Sequence, residues 1–183
     1  METYELHVAG VKRQLPVIPV NNDTKIASFV ILGDTQLVAA AAEKIIPHLP
    51  EVDLLVTAEA KGIPFVHELS KQLNMDRYIV ARKSVKPYMH SPLVHEVTSI
   101  TTQEKQTLCL SDEDAAHINH KRIALIDDVI SSGGSIQALE EIVSKAGGTI
   151  SAKAAILAEG EAAERKDITY LERLPVFTKE NNS

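Results

Sequence analysis

Continuous apolar runs, separated by stretches of helical period, constrain this chain more than any other feature. VDLLVT (Val52–Thr57), RYIVA (Arg77–Ala81), RIALI (Arg122–Ile126) and TISAKAAILA (Thr149–Ala158) read as strands without regular polar alternation. Strands of that kind are covered on both faces, as in parallel sheets. Helices are expected between them. One spans Gln36–Pro47, with Asp34 or Thr35 as its cap and Leu37, Ala40, Ala41 and Ile45 at helical spacing. A second spans Ile63–Leu73, with Pro64 in its first turn, and a third spans Gly134–Ala146, stopped by Gly147-Gly148. The alternation predicts an α/β fold, a mostly parallel sheet flanked by helices. The polar stretch from Arg82 to His120 lacks a clear period and is expected to hold one strand, Gln106–Leu110. Ligands of such sheets sit beyond the carboxyl ends of the strands. That directs attention to two strand-to-helix loops, AEAKG and DDVISSGGS.

The second loop belongs to IALIDDVISSGGS, Ile123–Ser135. Ser131, Ser132, Gly133, Gly134 and Ser135 have small side chains, so their backbone N–H groups can approach a ligand closely. A helix N-terminus adds unpaired donors and partial positive charge. The combination suits an anion, most simply a phosphate. Asp127 and Asp128 repel phosphate and suit hydroxyls, metal ions or protonated groups. A ligand with a phosphate at one end and a diol nearby, such as ribose 5-phosphate, satisfies both parts. A P-loop is excluded because no Gly-Lys pair occurs, and the G-x-G-x-x-G dinucleotide fingerprint is absent.

Composition narrows the classes further. The 183 residues fit one domain, 1–183. Nineteen Lys+Arg against 25 Asp+Glu give a net charge of −6, which argues against nonspecific nucleic-acid binding. Seven aromatics and no Trp leave few stacking platforms for single strands. No apolar run is long enough for a membrane span. The N-terminal METYELHVAGVKRQLP lacks the pattern of a signal peptide, so the cytoplasm is the expected compartment. Cys109, the single cysteine, reads as an inert small hydrophobe. The seven histidines are scattered; His117 and His120 read as a surface pair, and no protein metal site is expected.

IALIDDVISSGGS resembles the PRPP-binding motif of the type I phosphoribosyltransferases, PRPP being 5-phosphoribosyl 1-pyrophosphate. The resemblance implies that Asp127 and Asp128 hold the ribose hydroxyls and that Ser131, Ser132, Gly133, Gly134 and Ser135 hold the 5-phosphate. That family more often has Thr at the positions of Ser132 and Ser135, and Ser keeps the hydroxyl. EAKGI resembles the pyrophosphate loop of the purine members, which assigns Glu59, Ala60, Lys61 and Gly62 to pyrophosphate and implies a cis peptide at Ala60–Lys61. ARKSVKPYM resembles the segment after the third strand of adenine phosphoribosyltransferases. It adds Arg82, Lys83 and Lys86 as countercharges, with an arginine that can reach a neighbouring subunit, hence a homodimer.

The resemblance thus implies the type I phosphoribosyltransferase fold, with a small N-terminal/C-terminal cap (about residues 1–33) and a mobile lid (about 83–120). The implied activity is a purine-salvage glycosyltransferase. It would move phosphoribose from PRPP to a purine base, with Mg²⁺ arriving on PRPP and largely held by substrate and water. Asp127, Asp128 and Lys86 are the expected catalytic residues, Asp128 doubling as acceptor of the purine proton. Adenine is the favoured base. Xanthine or guanine is the alternative, as is a non-catalytic PRPP- or nucleotide-binding regulator of the same fold. The lid departs from the adenine pattern, because QTLCL lacks an acid and only Glu104 lies nearby. Tyr88 or Phe29 are candidates for stacking on the base.

Overall fold

The computed structural model describes residues 2–98 and 105–178. Its centre is a five-stranded parallel sheet in the order β10-β9-β8-β4-β5, the α/β fold expected. The strands are β4 (Leu54–Ala58), β5 (Ile79–Ala81), β8 (Arg122–Ile130), β9 (Thr149–Glu159) and β10 (Thr169–Leu174). Helices α1 (Thr35–Ile45) and α2 (Ile63–Gln72) share one core with Leu55, Ala124 and Ile156. Helix α4 (Gly134–Lys145) packs into the other, with Val56, Ile123, Leu125 and Ala155. Coverage of both faces explains why these strands carry continuous apolar runs.

Local chemistry sets the helix starts. Asp34 caps α1, its carboxylate accepting from the Leu37 N–H at 3.1 Å. Arg13 grips the same carboxylate in a fork, Nε at 2.7 Å and Nη2 at 2.9 Å. Pro64 lies in the first turn of α2 as expected. Gly133 precedes α4 with φ of 85°, the left-handed region that suits glycine.

The N-terminal segment is more regular than a simple cap. Strands β1 (Thr3–Val8), β2 (Val11–Pro19) and β3 (Thr24–Ala27) form an antiparallel meander, and β11 (Val176–Thr178) from the other end of the chain pairs with β3. Leu6, Val8, Val11 and Leu15 turn inward to the first core.

Two expectations about local structure are corrected. β8 does not end at Ile126. It continues through both aspartates to Ile130, with Ile130 opposite Ala158 of β9, because Val129 and Ile130 extend a run with high strand preference. The polar stretch after Arg82 holds more than one strand. β6 (Leu93–Thr98) and β7 (Lys105–Leu110) form a hairpin, followed by helix α3 (Asp112–Ile118). Ser111 caps α3 by accepting from the Asp114 N–H at 3.0 Å, and three acids fill its first turn. The hairpin is anchored by Leu108 and Leu110 in the second core and by paired backbone bonds between Cys109 and Arg82. Buried His95 of β6 reaches α4, with Nδ1 2.7 Å from Lys145 Nζ and Nε2 2.7 Å from Glu141. Glu104 lies outside the described residues.

Candidate active site

The carboxyl ends of β4, β8 and β9, with the segment that follows β3, enclose a cavity of about 500 Å³. Its polar lining includes Lys61, Asp127, Asp128, Ser131, Ser135 and Glu159, with Ser28 and Gln106, and Ile26, Phe29, Val129 and Leu174 supply apolar wall. β4 and β8 are neighbours, so the two loops singled out in the sequence lie side by side.

The acid pair is tightly arranged. Asp127 accepts from the Asp128 N–H at 2.8 Å. Asp128 is 3 % exposed, and its Oδ2 has no hydrogen bond; Lys61 Nζ stands 3.4 Å from it. Burial, then the adjacent Asp128 charge, pushes the Asp127 carboxyl up to about 8. Two carboxyls so crowded favour an arriving cation or a set of hydroxyl donors. That chemistry fits a sugar diol and a Mg²⁺ ion carried by its phosphates, and the orphaned Asp128 Oδ2 is the atom left to meet them.

Behind the pair, Ser131, Ser132, Gly133 and Ser135 form a small niche at the start of α4, and Gly134 is the first residue of the helix. Arg165, held by Asp167 at 2.7 and 2.9 Å, covers this loop: a Cβ at Gly133 would stand 2.8 Å from its Nη1. Sequence reasoning missed Arg165, which lies in a charged segment without a motif.

The Glu59–Gly62 loop turns sharply into α2. Its cis peptide is Glu59–Ala60, not Ala60–Lys61 as the resemblance implied. The Glu59 N–H still bonds the Ala81 carbonyl at 3.0 Å, which holds Glu59 in register with β5, so the reversal begins at the very next peptide. Gly62 is required by close approach. A Cβ there would meet Thr57 Oγ1 at 2.3 Å and the Asp127 Cα and Oδ1 at 3.5 Å.

The basic segment divides. Lys83 lines the cavity. Arg82 is bound by the Glu59 carboxylate and donates to the Tyr88 hydroxyl at 2.7 Å. Glu59 thereby falls below the usual range despite its burial, and Arg82 rises. Lys86 donates to Ser84 Oγ at 2.7 Å, and neither Arg82 nor Lys86 is part of the cavity wall. Of the two stacking candidates, Phe29 lines the cavity, whereas Tyr88 stands off it and is 60 % exposed. Glu159 was passed over as the start of a charged tail. Its one signal is weak: a single acid that closes the apolar run of β9. Among the described residues, no cluster of three or more His, Cys, Asp or Glu is placed to hold a metal. Cys109 is buried, and burial raises its thiol.

A family model described as a phosphoribosyl transferase domain matches residues 32–181. The adenine phosphoribosyltransferase of Bifidobacterium animalis subsp. lactis is 34 % identical over 103 residues, 56 % of this chain and 50 % of that protein. The chain thus spans half the length of that relative. The hypoxanthine/guanine phosphoribosyltransferase of Methanotorris igneus is 30 % identical over 138 residues, 74 % of this chain and 71 % of that one. The crystal structure of adenine phosphoribosyltransferase from Thermoanaerobacter pseudethanolicus superposes with a TM-score of 0.69 at 20 % identity, covering 87 % of this chain and 95 % of that one.

Proposed function

This chain belongs to the phosphoribosyl transferase family, and on that premise we propose that it moves phosphoribose from PRPP to a purine base, releasing pyrophosphate. The observation that carries the reading is the pairing of two anion-suited loops with one buried carboxyl pair around a single cavity. Asp127 and Asp128 hold the ribose hydroxyls and stabilise the positive charge that grows on the sugar as its bond to pyrophosphate breaks. The backbone of Ser131–Ser135 and the start of α4 hold the 5-phosphate. The amides of Glu59–Gly62, with Lys61 and Lys83, hold the pyrophosphate. Asp128, whose buried Oδ2 has no hydrogen bond and lies 3.4 Å from Lys61 Nζ, accepts the proton from the purine nitrogen. Asp127 and Asp128 would meet a Mg²⁺ ion arriving with PRPP, which would supply neutralisation of the leaving charge.

Arg82 and Lys86 serve the same anion when the β6–β7 hairpin and the segment before it close, with Arg82 leaving Glu59. Val85 and Tyr88, large apolar groups exposed beside them, supply a contact for a second copy, and the working unit is a homodimer. The protein acts as one domain in the cytoplasm; no helix among the described residues is long and apolar enough to cross a membrane. Adenine is the proposed base, since adenine enzymes are among both the curated relatives and the solved structures that match.

The test is pyrophosphate release from PRPP and Mg²⁺ with adenine, guanine, hypoxanthine and xanthine in separate reactions. Turnover with a purine is expected, and Asp128→Asn should lower kcat/KM about a hundredfold or more. PRPP binding without release from any base would refute the transferase and favour a regulatory protein.

A further inference from the structure

Glu159 is the one cavity carboxylate that the reading above leaves without a task. Glu59 is taken by Arg82, and Asp128 faces Lys61. Glu159 ends β9. In register, Ile130 lies opposite Ala158, which puts Glu159 beside Ser131, and Leu174 of β10 pairs with it on the other side. It therefore borders the cavity one strand beyond the ribose-binding aspartates, on the side away from the pyrophosphate loop on β4.

The wall it shares there is mostly apolar, Ile26, Phe29, Val129 and Leu174, with Ser28 between the first two. A mostly apolar wall with an acceptor at its edge suits a flat ring carrying an N–H donor. The Glu159 side chain makes no hydrogen bond or ion pair among the described residues. Burial lifts its carboxyl above the ordinary range, opposed only by the through-space pull of Lys61. A partly buried carboxylate without a protein partner there is open to a donor on a ligand.

We propose that Glu159 selects the base, accepting from the exocyclic amino group of a 6-aminopurine and rejecting 6-oxopurines. The inference rests on the transferase reading and deepens it. The physics of rejection is asymmetric. A 6-oxo group turned toward Glu159 sets two acceptors against each other. A site built around a hydrogen bond discriminates far more strongly than one built on shape.

The experiment compares kcat/KM for adenine, hypoxanthine, guanine and unsubstituted purine in the wild type, Glu159→Gln and Glu159→Leu. The wild type should prefer adenine over the other three. Gln keeps the shape but presents a donor, so the adenine-to-hypoxanthine ratio should fall about tenfold or more while KM for PRPP stays put. Leu should erase the preference for adenine over unsubstituted purine. An unchanged KM for PRPP certifies that each variant has folded with its phosphoribose site intact. Ratios unmoved in both variants, or a wild type that prefers hypoxanthine or guanine, overturn the assignment and leave the transferase standing. A wild type inactive with every base overturns the transferase and this assignment with it.

Discussion

Replacing Gly62 with alanine should destabilise the protein for a reason unrelated to backbone freedom. Gly62 has φ of −72° and ψ of −16°, a conformation any residue adopts. Alanine there should help, by about 0.4–1 kcal/mol, through a stiffer unfolded chain. The new Cβ, however, would lie 2.3 Å from Thr57 Oγ1, more than an ångström inside ordinary contact. Thr57 is 0 % exposed, in a strand held on both sides by β5 and β8, so it has little room to retreat. Overpacking of this kind costs about 1–3 kcal/mol, leaving a net loss of roughly 1–2 kcal/mol. Thr57→Ala removes the obstructing oxygen. On its own that change should be nearly neutral: it forfeits a buried methyl, worth about 1 kcal/mol, and also removes a buried hydroxyl that has no partner, for a similar gain. Urea denaturation of the wild type, both single variants and the double variant closes the cycle. The expected coupling is the whole clash, about 1–3 kcal/mol, with Thr57→Ala rescuing Gly62→Ala. A Gly62→Ala protein as stable as the wild type, or one unaffected by Thr57→Ala, would refute the steric account.

Two further predictions concern carboxylates. Asp127 has its carboxyl raised in the folded state, so the native protein holds a proton that the unfolded chain has already lost; stability should fall as pH rises from about 4 toward 8, by up to about 1.4 kcal/mol per pH unit. Asp127→Asn keeps an acceptor for the Asp128 N–H; it should flatten that slope and raise Tm at neutral pH, and thermal melts across pH that show equal slopes would contradict this. Asp34 behaves oppositely. Its carboxyl is lowered, first by Arg13, so its contribution is full above about pH 4 and lost as pH falls through the lowered value. Asp34→Ala removes both the cap and the Arg13 fork and should cost about 1–2 kcal/mol at pH 7 but progressively less in acid, read from urea midpoints at each pH.

How legible the chain is depends on what each signal measures. Apolar runs report burial on two faces, so β4, β8 and β9 stood out, whereas β1–β3 bury one face and sit among polar residues. The hairpin partner β6, LVHEVT, hides its strand character behind His95 and Glu96, of which the histidine is in fact buried. Helix α3 had a readable start, Ser111 followed by three acids, but only seven residues in which to show a period. At the site, the loops were found because small residues and paired acids are rare after a buried strand. Glu159 was not, because a single acid there is common. The engagement of Arg82 by Glu59 spans 23 positions and is fixed by the β4–β5 pairing, which no local pattern encodes.

The strand at Val176–Thr178 bears on synthesis as well as structure. It is the outer partner of β3, about 150 residues earlier in the chain, and Leu174 just before it completes the cavity wall. A nascent chain emerging from the ribosome can therefore assemble the central sheet as far as β9 while β3 still presents an open edge. During that interval the chain is exposed to strand pairing with other chains. Before that strand arrives, Ile26 and Ala27 are held on one side only, by β2. A chain cut before residue 174 would keep the loops after β4 and β8 but lack Leu174 of the cavity wall and the outer partner of β3.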